Sequence, residues 1–210
     1  MSCSGDEHSA VHPWRVGVSY GFMWTTLRFD GAVEASLQQQ ALLIAVSYRA
    51  TDRLTLQLSA GALIAGDINT SAASSRLRPG WVAAAGISWQ LLDGASGRPF
   101  STVAGTLAAS SAPTVRVDTK AQATLTSLDV KGTAIIGKTF AGRFSPYVGA
   151  ALFGGPVFWA IDGASVTGTD KFHYQVLAGM SVALPRALDL FVEGSALGER
   201  SLAAGLGASF

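Results

Sequence analysis

The sequence predicts an all-β chain: an antiparallel transmembrane β-barrel of ten strands, with eight as the alternative. Three observations predict it. Bulky apolar residues recur on alternate positions, as in the closing segment Leu202-Ala203-Ala204-Gly205-Leu206-Gly207-Ala208-Ser209-Phe210, and a period of two puts them on one face of an extended strand. Charged residues make up only 14% of the chain, against about 25% in an average soluble domain. Yet no run of about 18 apolar residues, enough for a transmembrane helix, occurs. A barrel reconciles low charge with this absence, because each strand is apolar on one face only. Finally, Trp14 and Trp24 stand on the same strand face. At ~3.3 Å per residue and a tilt of ~40°, their separation corresponds to roughly 25 Å along the membrane normal, the height of a lipid-facing band.

The elements follow in order. Residues 1–12 are polar and are expected to form a disordered periplasmic tail, with the barrel over 13–210. Cys3 reads as an incidental tail residue or, if a leader has been trimmed before it, as a lipidated one. His8 and His12 lack the amphipathic helix that would make them a metal pair. No leader segment is read, so a mature form or a mis-started reading frame is expected. The first strand starts at Trp14 and alternates Trp14, Val16, Val18, Tyr20, Phe22 and Trp24 against Arg15, Gly17, Ser19, Gly21 and Met23. The second (36–50) shows Leu42, Ile44, Val46 and Tyr48 on one face, and the third (53–66) shows Leu54, Leu56, Leu58 and Ile64.

A Ser/Thr/Asn/Arg stretch at 67–78 is expected as a loop, followed by a fourth strand (79–92) carrying Trp81 and Trp89, and a turn at 93–99. The fifth strand (100–111) has no clean parity, since Phe100 disagrees with Val103 and Leu107. After a polar loop at 112–121 come the sixth strand (122–139) and the seventh (144–160), where Gly154-Gly155-Pro156 should interrupt pairing. A loop at 161–170, the eighth strand (171–184), the ninth (188–197) and the terminal strand complete the chain. Connections after odd-numbered strands read as longer and polar, those after even-numbered ones as compact, which fits extracellular loops and periplasmic turns. The short connection after the ninth strand breaks this pattern.

The apolar face is expected to point outward. The opposite face is mostly Gly, Ser, Thr, Ala and Gln, which makes a poor water-facing surface but packs well inside a narrow barrel. A closed barrel also satisfies every backbone polar group without water. Trp14, Trp24, Trp81, Trp89 and Tyr48 are the candidate aromatic girdle. Arg15, Asp129, Lys131 and Glu193 fall on inward parity, as do Arg49 and Arg53 near strand ends, and buried charges need partners. A polar cluster of Asp129, Lys131, Glu193 and an arginine closing the lumen is therefore expected.

No enzyme activity, cofactor or metal is expected. His173 is the only histidine within the barrel segment; Asp170, three residues earlier, would face the opposite side of a regular strand. Asp162 and Asp170 alone make a weak calcium pair. The net charge of +1, without a basic stripe, argues against nucleic acid as partner.

Several segments, namely Ile136-Gly137-Lys138-Thr139-Phe140, Ser145-Pro146-Tyr147, Asp189-Leu190-Phe191-Val192-Glu193 and the strand ending in Phe210, resemble those of small bacterial outer-membrane β-barrels of the outer-membrane protein A-like type. The resemblance implies a Gram-negative outer membrane, an assembly machinery that reads Phe210, and contact with outer-membrane lipid. A monomer is expected. The function expected is a non-enzymatic structural or interaction role with the lumen largely filled by side chains; a narrow pore for small solutes and, behind it, a surface hydrolase of the omptin or lipid A deacylase type are the alternatives.

Overall fold

The computed structural model describes residues 13–29, 33–161 and 164–210. The expected tail with Cys3, His8 and His12, and Asp162 of the suggested calcium pair, lie outside the described residues. The strands are β1 (Trp14–Phe29), β2 (Val33–Arg49), β3 (Leu54–Thr70), β4 (Ser74–Leu77), β5 (Gly80–Asp93), β6 (Pro99–Arg116), β7 (Gln122–Lys138), β8 (Phe144–Gly154), β9 (Val157–Ile161), β10 (Ala164–Asp170), β11 (Tyr174–Leu184), β12 (Leu188–Ala196) and β13 (Arg200–Ser209).

Three of these breaks lie within single strands of the wall. β4 and β5 both run between β3 and β6 and are separated only by Arg78-Pro79. β8 and β9 both pair with β7 and are split at Gly155-Pro156, where a Cβ at Gly155 would lie 1.9 Å from the Leu128 carbonyl. β10 and β11 are split at residues 171–173. At the end that holds Trp14 and Phe210 the wall closes through β1, β2, β3, β5, β6, β7, β8, β11, β12 and β13, a ring of ten strands. Trp14 and Phe210 exchange backbone hydrogen bonds at 2.9 and 3.2 Å, so the last residue extends the closing seam against β1.

The ring is not ten-stranded over its full height. The β12–β13 hairpin reaches only to Arg200, opposite Trp24 of β1. Above that point β10 leans across and pairs with β1 directly, Leu27 opposite Asp170 and Phe29 opposite Gly168. The upper ring therefore runs through β1, β2, β3, β4, β6, β7, β9 and β10, eight strands. Gly198 in the hairpin tip has φ +79°, and a Cβ there would meet the Tyr174 carbonyl at 2.2 Å, so the tip fits tightly beneath the crossing strand only without a side chain. Removing two strands at ~4.8 Å spacing narrows the barrel by roughly 4 Å.

This explains the short ninth connection that broke the alternation. It also corrects three expected loops. Residues 67–70 and 74–77, 112–116 and 164–170 are strand, not loop. The polar residues among them, such as Arg76 and Thr167, are exposed on the outer wall, and they mask alternation that continues on the inner side. Arg53, expected inward, lies exposed in the turn before β3.

Candidate functional site in the lumen and its cap

Two tiers differ in which face is greasy. In the ten-stranded belt, Val16, Val18 and Trp24 of β1, Leu42, Ile44 and Val46 of β2, Leu58 of β3 and Ile87 of β5 are exposed outward. Inward stand Gly17, Ser19 and Gly21, Ala45 and Ser47, Gln57 and Ser59, with backbone registers that alternate accordingly. The aromatic residues sit near the belt's two edges. Trp14 and Tyr48 pair across β1 and β2 with ring centroids 4.6 Å apart, and Trp89 lies opposite Leu54 at the same end. Trp24 and Trp81 lie toward the other end, exposed at 38% and 52%.

Above Trp24 the faces exchange character. The same inward parity of β1 continues with Leu27 and Phe29, now 1% and 3% exposed, while outward Arg28 is open to solvent. Ala35, Leu37, Ile68, Leu77, Ala112, Leu125, Val157 and Trp159 join them in one buried cluster, with Val166 of β10 packed against it. Every strand of the upper ring thus supplies an inward apolar side chain. The Phe29 and Trp159 rings approach to 5.7 Å, and the Trp159 indole N–H donates to Thr114 Oγ1 at 3.1 Å. The outer wall of this cap carries ions instead. Lys171 Nζ lies 2.7 Å from Glu34 Oε1, and this hydrogen bond, with the Lys171 and Arg28 charges, holds the Glu34 carboxyl below its ordinary value of 4.5.

The inward charges expected to form one cluster are held at three separate sites. Arg15 forms a two-pronged ion pair with Asp189 near the rim that holds Trp14 and Phe210, Nε to Oδ2 at 2.8 Å. Its guanidinium lies over Gly207, where a Cβ would come within 2.2 Å of Nη2. Glu193 accepts from the Tyr147 hydroxyl at 2.8 Å. Tyr147 packs with Phe100, Ile135 and Leu177, a small apolar cluster inside the belt, and its ring covers Gly179. Lys131 reaches Glu199 at 2.9 Å beneath the cap, and its ammonium stands 5.2 Å from the Phe153 ring centroid. Asp129 stands two residues before it on the same inward face.

Asp189, Tyr147 and Glu199 are the partners that sequence reading missed. Asp189 shares the parity of Glu193 and was within reach of that argument. Glu199 lies in a turn, where parity carries no information. Asp170 and His173 also differ from expectation. Thr25 donates to Asp170 Oδ1 at 2.9 Å, which places this carboxylate inside. His173 lies in the break at 171–173 and is exposed, so the parity of a regular strand does not relate it to Asp170. His173 Nδ1 lies 3.2 Å from the Phe153 carbonyl.

No family model matches the chain, and no curated protein matches it in sequence. Solved structures do. The translocator domain of the autotransporter NalP from Neisseria meningitidis is similar with a TM-score of 0.57 at 14% identity, over 94% of this chain and 88% of that one. The outer membrane protease OmpT from Escherichia coli is similar with a TM-score of 0.57 at 11% identity, over 94% and 97%. The transport unit of the autotransporter AIDA-I from Escherichia coli gives 0.52 at 13% identity, over 94% and 90%. At these identities the likeness is one of fold. The closed antiparallel wall, its outward apolar belt and that likeness define the chain as a transmembrane β-barrel of the outer-membrane type. Such a wall belongs to the outer membrane of Gram-negative bacteria, where closed barrels of this build reside.

Proposed function

We propose that the chain is a non-conducting, monomeric outer-membrane barrel with a non-enzymatic structural or interaction role, and that its eight-stranded cap is the part it presents outward. The observation that carries this reading is the apolar cluster from Leu27 to Trp159 filling the upper ring. An eight-stranded barrel is just wide enough for its own side chains to fill, and a dry apolar plug opposes the passage of hydrated solutes. The Arg15–Asp189, Tyr147–Glu193 and Lys131–Glu199 pairs add polar cross-braces below it. In this reading Trp14, Tyr48, Trp24, Trp81 and Trp89 anchor the wall at the two lipid interfaces, and Phe210 is the residue read by the barrel-assembly machinery. Planar-bilayer recording on the full chain tests it. No steady channel is expected, whereas a reproducible open conductance would establish a narrow pore and end this proposal.

A further inference from the structure

At the outer mouth of the cap a cavity of about 280 Å³ opens between the ends of β1 and β2, the β3–β4 turn, the start of β7, β9 and β10. Phe29, Trp159, Val166, Ala73 and Ala123 supply its walls. Two of the polar groups at its wall satisfy each other. The Trp159 N–H is given to Thr114, itself only 1% exposed. At the rim, Arg116 Nε stands 2.9 Å from Asp118 Oδ1. The Thr119 backbone N–H, with the Arg116 charge, holds the Asp118 carboxyl below its ordinary value, so it is ionised at neutral pH and balances the guanidinium. Across this pair the two charges cancel.

We propose that this cavity is a binding site for an uncharged, hydrocarbon-like molecule of one or two rings. Size and chemistry both support this class. An apolar cavity of about 150 Å³ stays dry and takes up benzene, so one nearly twice as large holds a single ring with substituents or a fused pair. The Phe29 and Trp159 rings, centroids 5.7 Å apart and 46° apart in plane, line the cavity and give its wall the aromatic character that a flat guest favours. The mouth lies above the belt, on the side away from Trp14 and Phe210, which the proposed function turns outward, so the guest is taken from the external medium. A membrane acyl chain would have to pass the polar outer wall of Arg28, Glu34 and Lys171 to reach it.

The test uses the folded full chain in detergent micelles and 1-fluoronaphthalene followed by ¹⁹F NMR. The expected result is a second resonance that saturates at one equivalent per chain, distinct from the linear uptake by micelles. Ala123→Phe fills the cavity from its wall, and Ala72→Trp fills it from an exposed turn where folding is least at risk. Each should weaken the saturable component at least tenfold, while Ala62→Phe on the lipid-facing wall leaves it unchanged. Uptake that is only linear, or a saturable signal that survives in both filled variants, overturns the site. Bilayer conductance has no bearing on this outcome, so the two proposals fail separately.

Discussion

The belt and the cap are built from the same strands with the same parity, yet they solve opposite problems. In β1 the even residues face out throughout, but Trp14 to Trp24 meet hydrocarbon while Thr26 and Arg28 meet water. The odd residues face in throughout, small or polar from Arg15 to Gly21 and apolar at Leu27 and Phe29. What changes is solvent and strand number. A ten-stranded ring leaves a lumen too wide for simple packing, which the chain spans with ion pairs and a few large side chains set against glycines. An eight-stranded ring closes on a dry core of the kind a soluble barrel has. The lesson is that alternation alone tells which residues share a face, and the surrounding medium decides which face must be apolar.

The largest expected effect tests whether the cap is an independent core. Trp159→Ala removes a side chain that is 6% exposed and leaves the Thr114 hydroxyl without its partner. Truncating a buried aromatic costs ~3–5 kcal/mol. Amide exchange should rise across β9, β10 and the upper parts of β1 and β7, with the belt strands unchanged. Uniform acceleration through the belt would show that the two tiers unfold as one.

The second effect sharpens the contrast in solvent. Val18→Arg places a charge at mid-belt on the lipid side, at a cost of about 2–4 kcal/mol, and should block insertion into vesicles. Ser19→Arg, one residue on, faces the lumen beside Gly205 and should assemble more readily. Thr26→Arg, on the outward parity of the cap, should assemble like the parent chain. The measure is the folded fraction by heat-modifiable gel mobility. Equal loss at positions 18 and 26 would erase the boundary drawn at Trp24.

Much of the belt was legible because hydrocarbon imposes a simple pattern. Trp14 to Trp24, Leu42 to Tyr48 and Leu202 to Leu206 announce their lipid side without any tertiary information, and ten strands follow from counting such segments. The cap was not legible for two reasons. Its outward positions are occupied by Ser, Thr, Arg and Glu, as in Ser74-Ser75-Arg76-Leu77, so the segment averages to loop-like polarity. Its inward apolar residues are scattered over eight strands and become a core only when β10 crosses to β1, a long-range pairing that no local pattern encodes. The charge partners divide the same way. Arg15 and Asp189 both lie on readable inward parity, whereas Lys131 finds Glu199 in a turn whose position depends on the short hairpin.

The smallest effect concerns the seam where that crossing is held. The Lys171 backbone N–H donates to the Thr26 carbonyl at 2.8 Å, and the Lys171 side chain reaches over to Glu34 on β2. Because Glu34 is held below its ordinary value of 4.5, the folded state favours the ionised form. Its contribution is therefore present above that value and fades as the pH falls through the lower folded value. The pair is exposed and screened by salt, so the effect is a modest one. Glu34→Gln should exchange the amide of Lys171 slightly faster than the parent at pH 7 and low salt. After correction for intrinsic exchange, the two proteins should converge toward pH 3 or in 1 M salt. A difference of equal size at both pH values would mean that Glu34 shapes the seam by packing, and that the charged outer wall of the cap plays no part in holding its eight strands closed.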